Sequence, residues 1–141
     1  MIVHRHEIRV RYADTDKMQF VYNGKYLEYF EVGRTELLRS LGLPYSEVEK
    51  RGYQLPLVEA NIKYKSAAFY DDLLIIESSY QLETTPIIQI NYTIYRKETM
   101  EIIAEGFTKH IFIKEETKKA VRPPEFYIQA IQNAEENARE N

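Results

Sequence analysis

From Tyr26 to Leu41 the positions Tyr26, Leu27, Phe30, Gly33, Leu37, Leu38 and Leu41 fall three and four apart. That is the period of a helix with a wide buried stripe. The helix is predicted from Asn23 or Gly24 to Leu41. Asn23 is its candidate cap, because a side-chain oxygen can accept from the first free N–H groups. Gly42 is its stop, with Pro44 just beyond. Ahead of it, Ile2 to Tyr12 alternates, with Ile8, Val10 and Tyr12 on one face and Arg9 and Arg11 on the other, as in a half-buried strand. Asp14-Thr-Asp16 breaks that strand. Pro44 to Lys50 suits a short second helix, and Gly52 is the break after it.

The rest of the chain predicts strand after strand. Gln54 to Tyr64 is an apolar run with one Pro and a polar centre, and Asp71-Asp72 opens Leu73 to Leu82. Thr84-Thr-Pro86 is a turn. Ile87 to Arg96 sets Ile88, Ile90, Tyr92 and Ile94 against Gln89, Asn91 and Thr93. Lys97 to Met100 is a second turn. Ile102 to Ile113 has Ile103, Phe107, Ile111 and Ile113 on one side and Ala104, Gly106, Thr108, His110 and Phe112 on the other. Short links between consecutive strands favour an antiparallel meander, since parallel strands need long crossovers. Arg122-Pro-Pro leads into a C-terminal helix, Glu125 to Glu140, whose polar end from Glu135 to Asn141 is expected to fray. One long helix among five strands has a simple packing solution: the sheet curls and buries the helix on its concave face, an α+β arrangement. A five-stranded sheet leaves two edges, which are usually covered or paired, so a dimer with a continuous sheet or a joined face is expected.

Composition narrows the classes of function. The chain has 141 residues, 44% hydrophobic and 29% charged, suited to one domain over 1–141 with one core. A net charge of −3 offers no electrostatic footprint for nucleic acid. The absence of cysteine removes disulfides, thiolate metal sites and a Cys nucleophile. The opening Met1-Ile-Val-His-Arg-His6 has no apolar core of signal-peptide length, and no apolar run approaches the roughly 20 residues of a membrane helix. The expectation is a cytoplasmic protein. Twelve Tyr and six Phe with no Trp suit a partly wet cleft or a subunit interface.

Few residues are candidates for chemistry. An isolated D-x-D such as Asp14-Thr-Asp16 reads first as a turn. A calcium loop starting at Asp14 fails, because Met18, Gln19 and Lys25 stand where an acceptor, Gly and Glu belong. His4 and His6 share a strand face without a third ligand, so exposed strand histidines are the simpler account and no metal site is expected. His110 suits a hydrogen-bonded structural histidine. Gly33 lies in the helix stripe, where close approach of a sheet explains it. What stands out is position: a carboxylate loop feeds straight into the start of a buried helix. There unpaired N–H groups and the positive dipole end could polarise a carbonyl.

Tyr12-Ala-Asp-Thr-Asp16 and Val21-Tyr-Asn-Gly-Lys-Tyr26 resemble the hotdog-fold thioesterases of the 4-hydroxybenzoyl-CoA thioesterase family, the YbgC-like acyl-CoA branch in particular. The likeness continues through Tyr29-Phe-Glu-Val-Gly-Arg34-Thr-Glu-Leu-Leu-Arg39, Tyr64-Lys-Ser-Ala-Ala-Phe-Tyr70-Asp-Asp and Ala120-Val-Arg-Pro-Pro. It implies a five-stranded antiparallel sheet wrapped around a long helix, and acyl-CoA hydrolysis in a homodimer or homotetramer without metal or cofactor. It makes Asp16 the catalytic carboxylate and sets the thioester carbonyl against the Asn23 N–H. Tyr22 and Tyr26 would line the acyl pocket, and Asp14 would be a structural neighbour. The family usually has Gly where Gln19 stands, so this side chain could narrow the acyl site or add a polar contact there. The branch commonly has His where Asn23 stands, and Pro where Ala67 stands. Two rival readings remain: a thioesterase for acyl-carrier protein, whose acidic surface would need a basic dock, and a non-catalytic acyl-thioester binder.

Overall fold

The computed structural model describes residues 1–140; Asn141, counted above in the fraying end, lies outside them. Seven strands and three α-helices follow in the order β1 (Ile2–Arg9), α1 (Lys25–Ser40), α2 (Tyr45–Lys50), β2 (Tyr53–Gln54), β3 (Leu57–Tyr64), β4 (Leu73–Tyr80), β5 (Ile87–Arg96), β6 (Ile102–Ile111), β7 (Ile113–Lys114) and α3 (Glu125–Glu140). The main sheet is five-stranded, in the order β1-β4-β5-β6-β3, and every pair is antiparallel. Only β4, β5 and β6 form the expected meander. β3 pairs with β6 instead of its sequence neighbour β4, so β1 and β3 are the two edges. The predicted run Gln54 to Tyr64 divides at Pro56, which has no N–H for a ladder. Its first piece, β2, pairs with β7 in a separate two-stranded ribbon.

α1 packs on β1, β4 and β5, and its core face is Tyr26, Tyr29, Phe30, Gly33, Leu37 and Leu38. Phe30 stacks on Tyr92 of β5 with ring centroids 4.3 Å apart. Gly33 is where the helix backbone meets β4: a Cβ there would lie 2.6 Å from Ile76 Cγ2 and 2.7 Å from Ser78 Oγ. Close approach is therefore the reason for glycine. Leu27, placed in the stripe by its spacing, is 40% exposed. One residue on from Tyr26 is about 100° round the helix, enough to leave the buried face. α1 ends at Ser40, and Gly42 takes the left-handed conformation (φ 76°) that lets the chain turn.

Further expectations are corrected. Tyr12 does not continue β1. The strand stops at Arg9, the Asp14 carboxylate accepts from the Arg11 N–H, and Tyr12 sits in a 3-10 turn, 78% exposed. Asn23 does not cap α1; Gly24 holds the N-cap position and no side chain bonds the first turn. His4 and His6 are half-buried instead of exposed, their rings stacked 6.5 Å apart. No trio of His, Asp or Glu among the described residues is arranged to hold a metal. No described helix is long and apolar enough to cross a membrane.

Candidate active site

After Val10 the chain doubles back on itself. The Asp16 N–H donates to Phe20 O (3.1 Å) and the Tyr22 N–H to Asp14 O (3.0 Å), while Thr15 bridges Val21. Residues 14–22 thus form a narrow hairpin with Lys17, Met18 and Gln19 at its tip. The tip closes by a bond from the Gln19 N–H to Asp16 O (2.9 Å), and Gln19 is held in the left-handed region at φ 71°. For a side chain larger than Gly that conformation costs on the order of 1 kcal/mol. The hairpin is tied to the 66–72 loop by Val21 N–H to Ala68 O (2.8 Å) and by a Phe20–Phe69 bridge. That loop is fixed in turn by Arg96, which binds the Asp72 carboxylate and Ala67 O (2.6 Å).

The two acids of the loop have separate fates. Asp14 is 3% exposed. It accepts from the Tyr29 hydroxyl (2.9 Å), the Arg11 N–H (3.2 Å) and the Arg11 guanidinium (3.1 Å), with Lys25 Nζ 3.7 Å away. Burial pushes its carboxyl up, but the Tyr29 and Arg11 hydrogen bonds outweigh that and hold it below the usual range. Asp16 is half-buried in a cleft of about 390 Å³, lined by Tyr12, Thr15, Met18, Gln19, Phe69 and Tyr70. One of its oxygens accepts the Met18 N–H (2.8 Å), the bond of a turn-forming Asp. The other has no hydrogen-bond partner, and no cation lies within ion-pair distance, among the described residues.

The hairpin ends where α1 begins. Tyr22 O accepts the Lys25 N–H (2.9 Å); Asn23 O accepts the Tyr26 N–H (3.4 Å) and the Tyr64 hydroxyl (3.2 Å). Carbonyls and amides of one peptide unit point opposite ways. The Asn23 and Gly24 N–H groups therefore face away from the helix, and neither meets an acceptor among the described residues. Gly24 keeps this turn bare, since a Cβ would lie 2.9 Å from Tyr22 Cε1. Tyr22 is exposed beside it. Tyr26 is buried behind the turn, edge-on to Tyr64 (5.4 Å) and to Tyr29 (5.9 Å). Burial raises its hydroxyl pKa against a hydrogen bond to the Ala68 backbone. Of the five site residues read from sequence, Asp16 and Gln19 share the cleft, Tyr22 and Asn23 stand at the base of the same hairpin, and Tyr26 packs behind it.

Residues 10–131 match the thioesterase-like superfamily. The chain belongs to that family. Among relatives of this thioesterase, YneP of Bacillus subtilis, provisionally named an acyl-CoA thioesterase, is 35% identical over 122 residues, covering 86% of this chain and 88% of YneP. Among solved structures, DHNA-CoA thioesterase from Staphylococcus aureus superposes with a TM-score of 0.84 at 31% identity, covering 99% of this chain and 93% of that one. The 4-hydroxybenzoyl-CoA thioesterase of Pseudomonas sp. strain CBS-3 shares the fold, with a TM-score of 0.81 at 20% identity over 91% of this chain and 98% of that one. The thioesterase thus has the hotdog fold, an antiparallel sheet curled round α1.

A second cavity of the thioesterase, about 230 Å³, lies away from Asp16, between the later turns of α1, α2, β5, β6 and α3. At its floor His110 Nδ1 lies 3.2 Å from Leu55 O, so this nitrogen carries the hydrogen and donates. Nε2 is then the acceptor for the Thr108 hydroxyl (3.0 Å), which in turn accepts from the Tyr92 hydroxyl (2.7 Å). Burial, with the Arg34 charge adding to it and the Leu55 bond opposing, lowers the His110 pKa to about 4. Every polar atom of this relay is used inside the protein, so it braces the sheet. His110 is the satisfied structural histidine its strand position suggested.

Tyr64, Phe69, Tyr70 and Arg96 were not singled out from sequence as members of this site. Tyr64, Phe69 and Tyr70 lie in a stretch that carried part of the family likeness, but Tyr64 reaches Asn23 from 41 residues away and Arg96 reaches Asp72 from 24. No local pattern encodes either contact.

Proposed function

We propose that this thioester hydrolase acts on an acyl-CoA, with Asp16 as its reacting carboxylate and the Asn23 N–H as the donor to the thioester oxygen. The observation that carries the reading is a pair of unspent groups: a half-buried carboxylate with one free oxygen on the hairpin, and at the hairpin's base a helix-start N–H with no acceptor among the described residues. Attack on the thioester carbon moves negative charge onto its oxygen. A fixed N–H already aimed there stabilises that charge without reorganisation, and losing one such donor typically costs about 2.7–4 kcal/mol of barrier. Asp16 supplies the other half. It either takes a proton from the attacking water or attacks the carbonyl itself to give an anhydride that water then opens. Both routes release the free acid and CoA. Gln19, in the cleft beside Asp16, and Tyr22 and Tyr26 contact the acyl group in this reading. Their placement supports unequal roles: Tyr26 as a buried backing, Tyr22 and Gln19 as surface contacts.

The same proposal includes one domain over 1–141, a cytoplasmic setting and a homodimer or homotetramer. The edge strand β3 supports assembly, because it exposes Leu57, Val58 and Tyr64 beside an unpaired ladder edge. The test is hydrolysis of a panel of acyl-CoAs and one acyl-carrier protein by the wild type and by Asp16→Asn. Turnover of CoA esters that falls about 10²–10⁴-fold in the variant is expected. Turnover confined to the carrier-protein ester would move the substrate class. Binding without turnover in the wild type would replace hydrolysis with recognition.

A further inference from the structure

The peptide joining Asn23 to Gly24 is gripped at its carbonyl end by a side chain from the far edge of the sheet. Tyr64, on β3, donates its hydroxyl to Asn23 O at 3.2 Å while its ring lies edge-on to Tyr26 at 5.4 Å. Among the described residues the one other proton on that carbonyl comes from the Tyr26 N–H, at a long 3.4 Å. A weakly held first turn would let the peptide rock, and the N–H groups at its outer end would lose their aim. Because a peptide unit is planar, fixing its C=O fixes its N–H. The Tyr64 hydroxyl therefore sets the direction of the Gly24 N–H directly, and that of the Asn23 N–H through the residue they share.

We infer that Tyr64 is a positioning residue for the thioester reaction: its hydroxyl holds the turn before α1 so that the Asn23 and Gly24 N–H groups converge on the thioester oxygen. This rests on the proposed role of Asn23 and adds to it a second donor and the side chain that aims both. The Tyr64 hydroxyl touches no substrate in this account. It also polarises the amide, since a carbonyl that accepts a second hydrogen bond makes the N–H of the same unit a better donor.

Tyr64→Phe keeps the ring against Tyr26 and removes only the hydroxyl. With the best acyl-CoA of the panel, kcat is expected to fall about five- to tenfold, with KM within a factor of two and the melting temperature little changed. A purely structural brace would move the melting temperature and leave kcat of the folded protein alone. A second readout uses the same acyl-CoA bound to Asp16→Asn, which traps it unreacted. Its thioester C=O stretch should shift to low frequency on binding, and by less in Asp16→Asn with Tyr64→Phe. An unchanged kcat together with an unchanged carbonyl shift would overturn the role of Tyr64. If Asp16→Asn itself turns over at the wild-type rate, it is the underlying reading of the site that fails instead.

Discussion

The two parts of α1 meet polar groups in opposite ways. Along its later turns, Tyr92, Thr108 and His110 pass one line of hydrogen bonds to Leu55 O and leave nothing free. At its first turn, Asp16 keeps an unused oxygen and Asn23 an unused N–H, beside the exposed rings of Tyr12, Phe69 and Tyr70. Buried polar groups that are fully paired hold a fold together; leaving one unpaired in the interior is costly. Polar groups kept free at a cleft have a use for something that arrives from outside. The proposed site rests on these free groups at the first turn and not on the histidine at the later turns.

Removing His110 should break the comparison most visibly at the structural end. His110→Leu leaves Leu55 O without its side-chain partner and Thr108 with Tyr92 alone, and a loss of about 2–3 kcal/mol of stability is expected by denaturant titration. The kcat of the protein that remains folded should stay within about twofold. An equal loss of kcat at unchanged stability would make His110 part of the chemistry.

Acid should act on the same end. The unfolded chain protonates His110 near the ordinary 6.5, while the folded protein holds it neutral down to about 4. Between those values the unfolded state binds more protons, so stability is full above pH 6.5 and falls as pH drops toward 4. Each pKa unit corresponds to about 1.4 kcal/mol, so the loss approaches the order of 3 kcal/mol, and most of it should vanish in His110→Leu, the lowered His4 leaving a remainder of the same sign. Below the ordinary Asp value of 3.8, protonation of Asp14 adds a further loss of the same sign. A wild-type stability curve flat from pH 7 to pH 4 would contradict the buried neutral histidine.

The smallest effect belongs to the cleft. Gln19→Gly relieves a left-handed residue and should stabilise the protein by about 0.5–1 kcal/mol. Because Gln19 faces the same cleft as Asp16, the ranking of acyl-CoAs in the panel should shift toward larger acyl groups. An unchanged ranking would remove Gln19 from the acyl site.

Periodic features were legible in the chain. The α1 stripe, the strand Ile87 to Arg96 and the helix Glu125 to Glu140 all lie where their spacing put them. Asp14 also took the structural role implied for it, and Gly33 the close approach. What local pattern could not carry was choice of partner. Nothing between Leu57 and Tyr64 says that it pairs with β6 in preference to β4. On β6 both alternating faces hold apolar residues, so the inward turn of Thr108 and His110 is decided by the sheet, not by the strand. The site divides the same way. Asp16 and Asn23 are close enough in sequence to be read together as candidates, whereas Tyr64, Phe69 and Arg96 arrive through tertiary contacts.

The central claim is that one acid of the Asp14-Thr-Asp16 loop does chemistry and the other holds the loop. Asp14→Asn and Asp16→Asn, measured side by side for kcat and melting temperature, test it directly. Asp16→Asn should lose about 10²–10⁴-fold in kcat with an unshifted melting temperature. Asp14→Asn should lower the melting temperature by several degrees, as a buried, multiply bonded carboxylate is replaced. An Asp16→Asn protein that hydrolyses acyl-CoA at the wild-type rate would contradict the account.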